Sequence, residues 1–159
     1  MATQSSPIKS SARNAEPAER PSLTLKRRFN AAPEKVYAAW ADPQKLVQWF
    51  GPGQVEEGSV KADIDLRVDG RYRISFKAKG TYNEVGGVYR EVVPNERLVF
   101  SWAWHSTPER ESLVTVSIKP EGGGTLLTFH HEQFADVTAR DNHETGWTEL
   151  LGKLENYLV

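Results

Sequence analysis

The chain has 159 residues, 26% of them charged and 38% hydrophobic, with a net charge of −1 and no cysteine. That length suits one hydrophobic core, the charge balance offers no footprint for nucleic acid, and without cysteine neither disulfides nor thiolate metal sites can form, a composition that suits a reducing cytoplasm. No apolar run reaches the length of a bilayer span and the first residues lack the apolar core of a signal peptide, so a soluble protein without membrane insertion is expected.

Residues 1–22 are rich in Ser, Pro, Ala and charged side chains, with Ile8 the only large aliphatic beyond Met1. Such a segment buries too little surface to offset its ordering entropy, so a disordered tail is expected, followed by one domain over 23–159. From Leu23 the pattern alternates: Leu23, Leu25, Arg27 and Phe29 against Thr24, Lys26 and Arg28, a strand ended by Asn30. Pro33 suits a first helical turn, because its missing N–H would have no partner there, and Val36, Tyr37 and Trp40 follow at helical spacing. Asp42-Pro43 repeats the signal as a cap, with Leu46, Trp49 and Phe50 spaced three or four apart before Gly51-Pro52 breaks the chain.

Strand patterns then dominate. Val60, Ala62 and Ile64 alternate with polar residues up to a turn at Val68-Asp69-Gly70, and Tyr72, Ile74 and Phe76 share one face of the next run, with Arg73 on the other. Gly80 opens a loop, and a run from Val85 to Val93 ends at Pro94-Asn95-Glu96. Leu98, Phe100, Trp102 and Trp104 form the apolar face of the following strand; Val114, Val116 and Ile118 form that of the next. Gly122-Gly123-Gly124 turns the chain back into a last strand, with Leu127, Phe129 and His131 on one side and His130 on the other. From Asp136 a long helix closes the chain: counted from Trp147, Leu150, Leu151, Leu154, Tyr157 and Leu158 make a single stripe.

One strand, two short helices, six strands and a long helix define an α+β helix-grip arrangement, a curved seven-stranded antiparallel sheet whose buried face the closing helix covers. The motifs within it resemble those of the AHSA1-like (activator of Hsp90 ATPase homologue 1-like) family of the START-like, or SRPBCC, superfamily, also described as Bet v 1-like. The resemblance is carried by Phe29-Asn30-Ala31-Ala32-Pro33 with Val36 and Trp40, Asp42-Pro43 leading to Trp49-Phe50-Gly51-Pro52, and Gly87 and Tyr89 with Glu91. It continues in Pro94 through Trp102, Gly124 through Thr128, and Gly146-Trp147 with Leu151 and Leu154. These motifs run in order from Leu23 to Val159.

The resemblance implies a cavity between sheet and long helix. The five tryptophans, Trp40, Trp49, Trp102, Trp104 and Trp147, can either fill a core or line such a pocket. With Tyr72, Ile74, Phe76, Tyr89, Phe129 and Leu151 they make the expected lining, edged by His131 and His143. Either imidazole can hydrogen-bond a polar ligand or act as a base near neutral pH, and either can equally be a satisfied core residue. The stretch from His143 to Trp147 is expected to roof the cavity and Leu150 to Leu158 to be solid core, with Gly146 leaving room for a neighbouring ring. Glu91 can face either side. No catalytic constellation, metal-ligand spacing or cofactor fingerprint is present, so no metal or cofactor is expected.

Three classes of function remain: binding a small apolar or amphipathic molecule, an Hsp90-type co-chaperone role, and a cyclase-, dehydratase- or hydrolase-type enzyme using His131, His143 or Tyr89. The first suits the aromatic load best. For the second, eukaryotic activators carry a separate N-terminal domain, whereas 22 residues precede the fold here. Either a monomer or a homodimer is compatible with the sequence.

Overall fold

The structure, a computed structural model, describes residues 20–51 and 54–159, so the expected tail lies, up to residue 19, outside the described residues. Strand β1 (Leu23–Phe29) leads through α1 (Pro33–Ala41) and α2 (Pro43–Leu46) to β2 (Lys61–Ile64). Strands β3 (Arg71–Ala78), β4 (Thr81–Val93), β5 (Arg97–Trp104), β6 (Ser112–Glu121) and β7 (Gly124–Glu132) follow, and α3 (Val137–Leu158) closes the chain. The seven strands form one antiparallel sheet in the order β1-β7-β6-β5-β4-β3-β2, so that β1 lies beside β7 and the helical segment crosses from one edge to the other. This is the helix-grip fold.

The caps follow from the sequence. Pro33 opens α1, and Asp42 then accepts the Gln44 N–H at 2.9 Å to start α2. Asp136 accepts the Ala139 N–H at 2.8 Å and starts α3. Helix α2 is one turn long, shorter than the spacing from Leu46 to Phe50 suggests. Strand β4 begins at Thr81, four residues before the apolar run, because Lys79 and Gly80 make a two-residue turn with φ of 53° and 77°. Thr81 to Glu84 are polar and show no alternation, yet they pair with β3 down to Ala78 opposite Thr81.

Paired residues share a face, and the register stacks the inner one: Ile74 is opposite Val85, Val85 opposite Trp104, Val114 opposite His131 and His131 opposite Leu23. Gly87 shows why one position must lack a side chain. It pairs with Tyr72, whose hydroxyl donates to the Ser101 carbonyl at 2.7 Å, and a Cβ at Gly87 would lie 2.0 Å from that same oxygen. The ladder shifts register just beyond, between Tyr89 and Glu91. Glu91 faces solvent in an ion pair with Arg97 at 2.9 Å, and Arg73 pairs with Asp63 at 3.0 Å on the outer face. Between sheet and helix the core is continuous, from Val36, Ala39 and Trp40 of α1 to Leu150, Leu151, Leu154 and Leu158 of α3. Each fully buried leucine contributes about 2 kcal/mol relative to exposure. Among the described residues, no helix is long and apolar enough to cross a membrane.

Candidate functional site

Strand parity turns His131 inward, where it is fully buried. The Trp147 Nε1–H donates to its Nδ1 at 3.1 Å, so the ring proton sits on Nε2 and points at Ser112 Oγ, 2.7 Å away. Ser112 Oγ–H in turn donates to the Trp102 carbonyl at 3.1 Å. Every polar atom of this relay is satisfied. Burial, reinforced by the nearby His143 and His130, holds the His131 pKa down at about 2, so the ring is neutral. It is a structural strut between β6, β7 and α3.

His143 is held differently. Its Nδ1–H donates to the Ala139 carbonyl one turn back at 2.8 Å, which leaves Nε2 as an acceptor. Two indoles converge on that lone pair: Trp104 Nε1–H at 3.0 Å and Trp102 Nε1–H at 3.4 Å. Burial lowers the His143 pKa, only partly offset by the bond to Ala139. Protonation at Nε2 would set an N–H against two N–H donors, which reinforces the neutral form. The two imidazoles lie 5.3 Å apart, yet neither keeps a free lone pair for catalysis.

Beside His143 a bowl of about 230 Å³ opens between α3 and the sheet. Its floor is the buried side chains of Phe50, Trp102, Trp147 and Leu150, and its rim is half-buried Trp104, His143 and Gly146 with exposed Asn142. Behind the floor lies an inner space of about 20 Å³, lined by Trp40, Ile64, Tyr72, Ile74, Tyr89 and Phe100, among others. Phe50, Trp102 and Trp147 border both spaces, with Trp102 and Trp147 centroids 5.0 Å apart and Phe50 6.4 and 6.3 Å from them. Aromatic rings therefore fill most of the room beneath the helix.

Of the residues the sequence singles out, Trp102, Trp104, His143 and Trp147 meet at the bowl. Of the two spaces, Trp40, Tyr72, Ile74 and Tyr89 border the inner one and not the bowl. Trp49, Phe76, Phe129, His131 and Leu151 border neither. Trp49 Nε1–H donates to the Ala39 carbonyl at 2.9 Å, Phe129 packs on Trp147 at 4.3 Å, and Phe76 stands edge-on to Trp104 at 6.2 Å. Phe50, Asn142 and Leu150 complete the bowl without having been singled out for it. Phe50 carried a signal, the aromatic Trp49-Phe50 step before Gly51; Asn142, one polar residue on a polar helix face, carried none. Among the described residues, no three His, Asp or Glu side chains gather to hold a metal ion.

A helix-grip fold with an aromatic bowl at one end of its long helix defines the class. The chain belongs to the activator of Hsp90 ATPase homolog 1-like protein family, whose model matches residues 30–159. Mll3558 from Rhizobium loti is similar at 29% identity over 87% of this chain and 97% of that one, with a TM-score of 0.74. Protein CV1439 from Chromobacterium violaceum is 28% identical over 86% and 96%, with a TM-score of 0.74. CalU16 from Micromonospora echinospora is 26% identical over 86% and 75%, with a TM-score of 0.66. Comparison with curated proteins gave no match.

Proposed function

We propose that the protein binds a small apolar or amphipathic molecule in the bowl between α3 and β5. The observation that carries this reading is the bowl's composition. Four buried apolar side chains make a floor that water reaches from one side, and the rim sets an imidazole, an indole N–H and an amide around it. Covering that floor removes apolar surface from water, while the exposed Asn142 amide at the rim is placed to orient a polar substituent. At about 230 Å³ the bowl is smaller than the roughly 300–1,000 Å³ of drug-sized sites, which favours a ligand of one or two rings. A catalytic reading has less support, because both imidazole lone pairs are engaged by tryptophan N–H groups.

Gly146 supplies the test. It is mid-helix on the bowl's rim, so Gly146→Leu adds a side chain into the space while raising helix propensity. Indane is expected to quench tryptophan fluorescence and raise the melting temperature of the wild type in a saturable manner, and to do neither in Gly146→Leu, itself at least as stable as wild type. Equal binding by both proteins, or no binding of indane or its ketone at millimolar concentration, sinks the reading.

A further inference from the structure

Two buried donors on α1 have no acceptor among the described residues: the Tyr37 hydroxyl and, one turn later, Trp40 Nε1. An unmet buried N–H gives up its hydration without return, so such groups ask for an explanation. The other four tryptophans all place theirs, on Ala39, His131 and His143. Trp40 is 4% exposed, lies at the heart of the aromatic cluster, and borders the inner space. That space of about 20 Å³ has room for a single oxygen-sized group. Its neighbour is the bowl, separated from it by Phe50, Trp102 and Trp147. Of these three, Trp102 and Trp147 are tied by hydrogen bonds to His143 and His131, whereas the phenyl ring of Phe50 is held by ring packing alone.

We propose that Trp40 Nε1–H anchors the carbonyl oxygen of an uncharged, one- or two-ring ketone whose rings occupy the bowl. This rests on the bowl being a binding site and assigns the chemistry of its ligand. A hydrocarbon would leave the Trp40 donor unmet. A cation would be opposed by it. An anion would be buried where no positive side chain borders the inner space. Burial drives the Tyr72 and Tyr89 hydroxyls well above the ordinary tyrosine pKa, which shows how strongly this end of the core resists negative charge. An uncharged acceptor alone fits the donor, the size and the lack of counter-charge.

The probes are 1-indanone and indane, which share a ring skeleton and differ by the carbonyl, with indane-1-carboxylate as the charged control. In Trp40→Phe, which keeps a ring and removes the donor, 1-indanone is expected to bind about three- to tenfold more weakly than to wild type. Indane is expected to lose clearly less affinity than 1-indanone in this variant, and the carboxylate to bind neither protein at neutral pH. Should Trp40→Phe fold poorly, the wild type decides: the Trp40 indole N–H resonance, assigned through its contact with Trp49, should move downfield with 1-indanone and stay in place with indane. Equal affinities of 1-indanone for the two proteins, or shifts confined to Trp102 and Trp104, overturn the proposal while leaving the bowl as a binding site. If neither neutral probe binds the wild type, the bowl reading itself falls.

Discussion

The two halves of α3 cover the same sheet in different ways. From Leu150 to Leu158 the helix buries four leucines; from Val137 to Trp147 it buries one residue, Trp147. Branched aliphatic chains interdigitate and leave little space, as native cores do. Beneath the first half a histidine and three indoles meet at steep angles: Trp102 stands edge-on to Trp104 at 85° and to His143 at 78°, and tilted against Trp147 at 54°. Rings oriented by their N–H bonds, Trp102 and Trp104 to His143 and Trp147 to His131, leave gaps where their faces do not stack. Room for a ligand lies where packing is decided by hydrogen-bond direction rather than by volume. Leu154→Ala, at a fully buried position, should therefore be the most damaging change, lowering stability by about 2–5 kcal/mol in urea titration. A loss below about 1 kcal/mol would mean that the second half is no better packed than the first.

The two histidines sharpen the contrast next. His131→Leu leaves Trp147 Nε1–H without an acceptor and should lower stability by about 1–3 kcal/mol at pH 7.5, an effect that His131→Gln, able to donate and accept, should largely avoid. The same histidine sets the acid limb. Its folded pKa is about 2 against 6.5 in the unfolded chain, so below 6.5 the unfolded state takes up a proton that the folded state refuses. Stability consequently rises with pH between those values, by about 1.4 kcal/mol per unit where the unfolded histidine is fully charged, and the contribution is complete above 6.5. His143, also lowered, adds to the slope in the upper part of this window. Urea titrations at pH 7.5, 5.5 and 4.5 should show a shallower acid limb for His131→Gln than for His143→Gln. The reverse order would place the buried relay at the wrong histidine.

A smaller effect tests how the open half is held. Asp136 caps α3 through the Ala139 N–H at 2.8 Å, and Ala139 carries the carbonyl that fixes the His143 tautomer at 2.8 Å. Asp136→Ala should lower stability by about 1 kcal/mol and, by loosening that first turn, weaken indane binding more than a change in the second half would. Unchanged binding would show that the rim does not depend on its cap.

Most of the fold is legible in the residues, because alternation fixes strand faces and the leucine stripe fixes α3. Parity alone turns His131 inward beside Leu127 and Phe129. It does not say whether an inward histidine lines a space or fills one, since that depends on Ser112, the first residue of β6, which sequence patterning marks only as a strand start. Phe50 was missed for a related reason. It reads as the last member of a helical stripe, and its place in the bowl floor follows from rings distant in sequence, Phe76, Trp102 and Trp147, at 6.1, 6.4 and 6.3 Å. Glu91, ambiguous by parity, is placed by the register shift after Tyr89. Sidedness is local and was readable; partners across the fold were not.

Gly146 carries the smallest expected effect and the most direct one on the contrast between the halves. A glycine inside a helix costs about 0.5–1 kcal/mol relative to alanine, because it gives up more backbone freedom on folding. Gly152, in the packed half, has only the Arg27 guanidinium near the place its Cβ would occupy, at 3.6 Å. Both Gly→Ala changes should accordingly raise stability by up to about 1 kcal/mol, read as a higher urea midpoint. They part on binding: Gly152→Ala should leave the affinity for indane untouched, while Gly146→Ala, which adds a methyl group at the rim of the bowl, should weaken it. If Gly146→Ala destabilises the protein instead, the glycine is there for close packing, and the open half of α3 is less open than its lining implies. If it stabilises the protein and weakens binding, the helix gives up stability at that position to keep the space, as functional sites commonly do.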